Sequence, residues 1–193
     1  MPENASSADL AASVKILVAG GFGVGKTTMV SSVSEIVPLR TEEMITELST
    51  GIDDLSGVEG KTTTTVALDF GRITLDEKLV LYLFGTPGQD RFWFLWDELV
   101  RGALGAVVLA DTRRLENSFA SIDFFERRGL SFMIAVNCFD SAPVYTTEEV
   151  RDALDLDTDT PVVLCDARDR ESCKSVLITL VEHLIAKASI AVA

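Results

Sequence analysis

An α/β fold built on a doubly wound, mostly parallel sheet is predicted by three features of this 193-residue chain. Apolar runs of strand length alternate with segments of helical periodicity along most of the sequence. Two of those runs, GAVVLAD and SFMIAVN, are apolar almost throughout, as strands covered on both faces are. The first run, VKILVAG, passes into a glycine-rich turn and then a helical pattern, so the strand-to-helix rhythm is set from the start.

Residues 1–12, MPENASSADLAA, are small and polar and precede any periodicity, so they read as a flexible N-terminal tail ahead of one domain over 13–193. After VKILVAG, the segment KTTMVSSVSEIV is predicted as a helix with Val30, Val33 and Val37 on one side. From Pro38 to Thr64 the chain is long, acidic and rich in Gly, Ser and Thr, and breaks the rhythm; within it TEEMITEL is compatible with a short helix. The runs TVALDFGRITL and KLVLYLFG flank Asp76-Glu77 and predict a hairpin, one antiparallel edge on an otherwise parallel sheet. RFWFLWDELVRGAL reads as helical from Phe92, Leu95, Trp96 and Leu99. Helices follow GAVVLAD and SFMIAVN, the second opening at a capping box of Thr146 and Glu149. PVVLCDA is the last strand, and the last helix carries Val176, Leu177, Leu180, Val181, Leu184 and Ile185 as its apolar stripe.

Composition narrows the function. A net charge of −13, from 30 acidic and 17 basic residues, repels phosphate backbones and anionic lipid, which argues against nucleic acid and membranes as partners. The 3 cysteines, Cys138, Cys165 and Cys173, lack C-x-x-C spacing and indicate neither a disulfide framework nor a zinc site. A reducing cytoplasm is expected. There is no leader pattern, no long apolar run and no lipidation box, so no direct membrane anchor is expected and any recruitment to a membrane is left to partners.

The stretch GGFGVGKTT holds Gly20, four residues, Gly25, Lys26 and Thr27, the phosphate-loop pattern G-x-x-x-x-G-K-S/T, between a strand and a helix start. Glycines let backbone N–H groups turn toward phosphates, and the helix N-terminus adds the positive end of its dipole. Gly20, Gly23, Gly25, Lys26, Thr27 and Thr28 are therefore the candidate phosphate contacts, with Lys26 on the β and γ phosphates and the Thr27 hydroxyl on magnesium. A P-loop nucleotide-binding fold follows.

Two further loops concern the base: Asn137-Cys138-Phe139-Asp140 and Cys165-Asp166-Ala167-Arg168. They resemble the N-K-x-D and S-A-K loops of Ras-like GTPases. The resemblance implies that Asn137, Asp140 and Ala167 hold guanine, with the aspartate accepting the two ring-edge donors that adenine lacks. Cys138 stands where that family has lysine, which implies weakened affinity. The four motifs occur in the family's order over nearly the whole chain. It most resembles bacterial Ras-like GTPases of the gliding-motility (MglA) type and the GTP-binding proteins of actinobacterial conservons, to which TVALDFG and GTPGQD draw it. That resemblance implies GTP and GDP as ligands, Mg2+ as cofactor, a Roadblock-type regulatory protein as partner and a place in a signalling complex.

The switch segments are read in the same light. Of Thr62 to Thr65, alignment on T-x-x-x-D-F selects Thr65 as the first-switch ligand of magnesium and γ-phosphate, with Thr64 next. Gly88 would meet the γ-phosphate through its N–H, and Gln89 would orient the attacking water. Where the second switch usually opens with an acid, this chain has Gly85. With Asp76-Glu77 as a two-residue turn, strict pairing sets Asp69 opposite Phe84 and on the wrong face; a shift of one residue sets it opposite Gly85. Asp69 is thus the candidate to restore the charge beside magnesium, as the resemblance also implies. The gliding-motility branch carries an arginine where this chain has Thr64; Arg91 is the nearest internal substitute, and slow unaided turnover is expected. Trp93 and Phe94 fall off the core stripe and are candidates for an effector surface, whereas His183 receives no role. The function expected is a slow GTPase switch. Its rivals are a scaffold that holds nucleotide without turnover and an ATP-dependent P-loop kinase, against which Asp140 argues.

Overall fold

The computed structural model describes residues 12–45, 64–88, 93–140 and 142–192, with 40–45, 64–67, 93 and 191–192 described by their backbone alone. The expected tail, most of the acidic segment, Gln89, Arg91 and Phe92 lie outside the described residues. The elements in chain order are β1 (Ala12–Ala19), α1 (Lys26–Val33), β2 (Leu39–Ile45), β3 (Thr64–Asp76), β4 (Leu79–Gly85), α2 (Trp93–Val100), β5 (Ala103–Ala110), a 3-10 turn (Leu115–Ser118) running into α3 (Phe119–Arg127), β6 (Phe132–Asn137), α4 (Thr147–Ala153), β7 (Val162–Cys165) and α5 (Arg170–Val192).

They build a 7-stranded sheet in the order β2-β3-β4-β1-β5-β6-β7. Neighbours from β4 to β7 are parallel, and β3 runs antiparallel to both β4 and β2. The predicted hairpin is present, with β2 added outside it as the edge strand. Chain order reverses around β1, and the turns that leave β1, β4, β5, β6 and β7 all emerge at one end of the sheet, where open α/β sheets bind ligands. The motifs found in the sequence therefore collect along one edge.

Alternation within each strand splits the core into two layers. Ile16, Val18, Leu81, Leu83, Val107 and Leu109 face α1 and α5 through Val30, Val33, Val176, Leu177 and Leu180. Leu17, Ala19, Ala106, Val108 and Ile134 face the other way, onto Trp96, Ile122, Phe125, Val150 and Leu154. Strands covered on both faces must be apolar at every position, which is why β5 and β6 read as unbroken apolar runs. The capping box of α4 forms as predicted: Thr146 accepts from the Glu149 N–H, and the Thr146 N–H donates to the Glu149 carboxylate at 2.8 Å. No described helix is long and apolar enough to cross a membrane.

Three local expectations change. Helix α1 stops at Val33, not Val37, because the Ser34 side chain captures backbone groups: its hydroxyl donates to Ile36 O at 2.7 Å and accepts from Arg72 N at 3.3 Å. Val37 is then 86 % exposed. The short helix expected over TEEMITEL is absent where it is described, since residues 41–45 belong to β2 and pair with residues 64–68 of β3; tertiary pairing overrides a weak local preference. Ile185 leaves the apolar stripe of α5 and is 62 % exposed, because a 23-residue helix outruns the sheet it packs on.

The hairpin turn is Glu77-Lys78, one residue later than expected. Asp76 pairs with Leu79, the register shifts between Thr74 and Asp76, and from there Thr74 pairs with Val80 and Asp69 with Gly85. A bulge of this kind re-aims every residue beyond it. Across the sheet, α1 sits so close to β3 that a Cβ on Gly71 would lie 2.8 Å from Val30 Cγ1 and 3.2 Å from the Ser34 Cβ. Gly71→Ala should cost about 1–3 kcal/mol by overpacking this contact, measured as a lower urea midpoint at unchanged slope; an unchanged midpoint would mean that α1 yields freely.

Candidate functional site

The phosphate loop leaves β1 through glycines that the backbone demands. Gly20 has φ of +130° and a Cβ there would meet Leu109 O at 2.4 Å; Gly25 has φ of +108° and a Cβ would meet Asn137 Nδ2 at 2.7 Å. Gly25 caps α1 without a side-chain hydrogen bond, which leaves the first-turn N–H groups without a side-chain cap. Lys26 folds back over the loop and donates to Gly20 O and Gly21 O, each at 2.8 Å. It is 9 % exposed. Burial lowers its pKa to about 8, against the opposing pull of the Asp69 carboxylate.

Next in the helix, Thr27 donates its hydroxyl to Asp69 Oδ2 at 2.5 Å. Asp69 is buried, and it fills the space that Gly85 leaves: a Cβ at position 85 would lie 3.1 Å from the Asp69 Cβ and 3.2 Å from its Oδ2. A side chain at 85 would press closely on Asp69, so the two positions are coupled. Just beyond, the buried Thr86 hydroxyl has no hydrogen-bond partner among the described residues. A carboxylate beside one hydroxyl, with a spare hydroxyl nearby in the chain, fits magnesium held jointly by protein, phosphates and water. No cluster of three or more acidic, His or Cys ligands occurs among the described residues.

The turn after β4 leans on the same loop. A Cβ on Gly88 would stand 2.6 Å from Lys26 Nζ and 3.1 Å from Phe22 N, so the turn comes close to the loop with little room for a side chain. Trp96 holds it there by donating from its indole to Pro87 O at 3.2 Å. Trp96 is thus both the core residue that its spacing predicts and an anchor for the turn. Phe94 is 58 % exposed.

Asn137 joins the phosphate half of the site to the base half. Its amide donates to Val24 O at 2.9 Å and accepts from Ala167 N at 3.0 Å, all at buried positions. The structure therefore brings Gly25, Asn137 and Ala167 together, with the Ala167 N–H engaged by Asn137. Asp140 lies at the rim, 84 % exposed, and meets Arg168: Nη1 to Oδ2 at 3.2 Å and Nη2 to Oδ1 at 3.1 Å. Arg168 also donates to Asp166 through Nε and Nη2, each at 2.9 Å. Hydrogen bonds from Arg168 hold both carboxyls below the usual carboxylate range. Cys138 is exposed and reaches no farther than Val136 O.

Two predicted residues take no part in these contacts. Thr28 is exposed on α1 and lends its carbonyl to Ser32. Thr65 lies in β3, paired with Met44; four residues of extended chain put its backbone about 13 Å from that of Asp69. In this arrangement Thr65 does not join the Thr27–Asp69 pair. The reason is that pairing with β2 keeps the start of β3 in the sheet.

A further cluster went unread in the sequence. Asp111, at the end of β5 and 4 % exposed, holds Arg113 through Nε at 2.9 Å and Nη2 at 2.7 Å, and these bonds keep its carboxyl below the usual range. The Arg113 guanidinium lies 3.9 Å from the Phe139 ring centroid, in the base loop. Arg114 stands 3.7 Å from Asp111 and 3.9 Å from where a Gly23 Cβ would be. The signal was D-T-R-R directly after a central strand, at the sheet edge where ligands bind.

Comparison with known proteins agrees with this geometry. The G domain of the T. maritima FeoB iron transporter superposes with a TM-score of 0.63 at 20 % identity, covering 89 % of this chain and 99 % of that one. The cytosolic domain of the same transporter in a GDP form gives 0.64 at 18 % identity, covering 90 % of this chain; the present chain spans 64 % of that domain's length. These likenesses establish the fold, which this chain shares with those FeoB domains. In sequence, the uncharacterized protein MJ1339 of Methanocaldococcus jannaschii is 30 % identical over 137 residues, 70 % of this chain and 76 % of that protein. Residues 18–187 match the model of a family described as conserved hypothetical ATP binding protein, and the chain belongs to that family.

Proposed function

We propose that this protein is a nucleotide switch of the small GTPase type, which binds GTP and GDP with magnesium and hydrolyses GTP slowly. The observation that carries the reading is Asn137, which ties the phosphate loop at Val24 to the base loop at Ala167. A tie of this kind registers a phosphate cradle against a base pocket, and Asp140 follows three residues later in the loop where guanine's donor edge would be read.

The roles follow the geometry. Lys26 neutralises the β and γ phosphates, on a loop whose N–H groups and helix end already favour an anion. Thr27 and Asp69 hold magnesium, which supplies charge neutralisation on the phosphates. Asp69, opposite Gly85, is the carboxylate that the second switch omits. Gln89 orients water, and Gly88 swings from its seat on Lys26 to offer its N–H to a γ-phosphate. Thr65 joins the site in the GTP state if the first residues of β3 leave β2, an order change of the kind that GTPases use as their readout. Supply of a transition-state cation falls to a partner. The pairing of Gly85 with a strand carboxylate favours the gliding-motility branch, and with it a Roadblock-type regulator and a cytoplasmic signalling complex. The scaffold alternative draws on Cys138, Thr64 and the seated Gly88 turn.

Single-turnover GTP hydrolysis by the wild type and Gln89→Leu decides between switch and scaffold. A slow wild-type rate that the variant lowers at least tenfold is expected for the switch, and no turnover in either chain, even in cell extract supplying partners, fits the scaffold.

Asp69→Ala should abolish the magnesium dependence of nucleotide release. Wild-type GDP dissociation should accelerate about tenfold or more on chelation of the ion, whereas the variant releases GDP fast in both conditions; equal chelation sensitivity in the two chains would remove Asp69 from the ion site.

Lys26 gives a pH signature. Its charged form binds phosphate, and in the free protein that form is lost as pH rises through about 8. Affinity for GDP should be level near neutrality and fall above that value by up to about tenfold per pH unit, with a proton taken up on binding. Calorimetry in two buffers of different ionisation enthalpy at about pH 9 should give different apparent heats. Identical heats would place the Lys26 proton on the free protein already.

A further inference from the structure

Arg168 sits in an unusual position for a residue beside a base pocket. Its planar fork lies along the Asp140 carboxylate with two roughly parallel N–H···O contacts at 3.1 and 3.2 Å. The 1-NH and 2-NH2 groups of guanine present the same pair of parallel donors, and they need the same two oxygens. Adenine presents an acceptor and one amino group on the corresponding edge and makes no such pair. We infer that Arg168 sets base selectivity by occupying the guanine-reading carboxylate of Asp140, so that guanine, but not adenine, must displace it. This inference rests on the proposal that Asp140 faces the purine edge.

The displaced state is already built. Arg168 keeps Asp166 through Nε and Nη2, and its own backbone N–H donates to Asp166 Oδ1 at 2.9 Å. Asp166 thus holds the guanidinium through Nε and shares Nη2 with Asp140, so that when the Asp140 carboxylate turns away to the base the Arg168–Asp166 contacts stay in place. Arg168 and Asp140 are 59 % and 84 % exposed, so the contact is screened by salt. A partly solvated pair of this sort is weak enough for a base to break and strong enough to tax its binding. A nucleotide site with a guanine-type loop would then discriminate poorly between guanine and adenine.

The ratio of ADP to GDP dissociation constants isolates this effect, because both ligands carry the same diphosphate. Arg168→Met retains an unbranched apolar stem but no donors. At low ionic strength it should raise the ratio about fivefold through tighter GDP binding, with ADP unmoved. In the wild type the ratio should climb toward the variant's value as salt is added, whereas the variant's ratio stays flat. Equal ratios in wild type and Arg168→Met at low salt would overturn the inference. The double variant Arg168→Met/Asp140→Asn separates the two levels of argument, since an asparagine turns a donor toward the guanine 2-amino group. If it collapses the ratio, Asp140 reads guanine and the result from Arg168→Met decides on the competition. If it leaves the ratio unchanged, Asp140 does not read guanine, and both the reading and the inference fall. All of these positions are exposed, and thermal melting confirms that each variant is folded.

Discussion

The register of β3 against β4 is the constraint on which the phosphate half of the site depends. Because strand side chains alternate faces, a one-residue slip would turn Asp69 away from Thr27 and leave Gly85 facing an empty space. The bulge between Thr74 and Asp76 prevents this at the far end of the hairpin, more than five residues from the carboxylate it aims. Gly85 then has a physical reason to lack a side chain: a Cβ there would crowd Asp69 at 3.1 Å. On the proposed reading, what looks like a missing acid in the sequence is an acid moved one strand over, beside a glycine that lets it approach.

The other half of the site depends on a single buried amide. Asn137 sits at the C-terminal end of a strand with neighbours on both sides, which makes its position stiff, and its two hydrogen bonds span loops that are separated by more than a hundred residues. A buried amide that lost either partner would leave polar atoms unsatisfied at a cost of about 1–3 kcal/mol each. The tie therefore stiffens the distance between phosphate loop and base loop before any ligand arrives. Gly25 takes part as well, because a Cβ there would strike the Asn137 amide.

Much of this was legible in the chain. Full burial wrote itself into GAVVLAD and SFMIAVN, the phosphate loop into its glycine spacing, and the α4 start into Thr146 and Glu149. What was not legible is non-local. β2 forms because β3 offers it an edge, and the local sequence, with its Glu-Glu-Met run, says little about that. The end of α1 hides in Ser34, whose hydroxyl binds Arg72 on a distant strand. The turn moved by one residue because Glu77-Lys78 and Asp76-Glu77 are equally polar, and the bulge that settles the matter has no residue signature. Arg113 and Arg114 escaped notice, and Arg168 was placed in its loop without a role, because an arginine in a polar turn looks the same in sequence whether it is solvated or clamped on a carboxylate.

Those arginines change how a chain of net charge −13 comes to bind a polyanion. Its field repels phosphate at long range, so attraction must be local and held in place. Each guanidinium at the site edge is fixed by an aspartate: Arg113 and Arg114 by Asp111, Arg168 by Asp140 and Asp166. An arginine so held is preorganised, but part of its charge is spent on its partner, and a ligand gains only what the pair releases. Lys26 is arranged the other way, over carbonyl dipoles at 2.8 Å rather than on a salt bridge, with burial lowering its pKa. On the proposed reading the site divides the work: Lys26 and the α1 terminus would supply affinity for the phosphates, which guanine and adenine nucleotides share, while Arg168 would set how much the base adds. A family described as ATP-binding and a loop that resembles a guanine reader are compatible under that proposed division, because selectivity would then rest on the contact between Arg168 and Asp140 and not on the cradle beneath it.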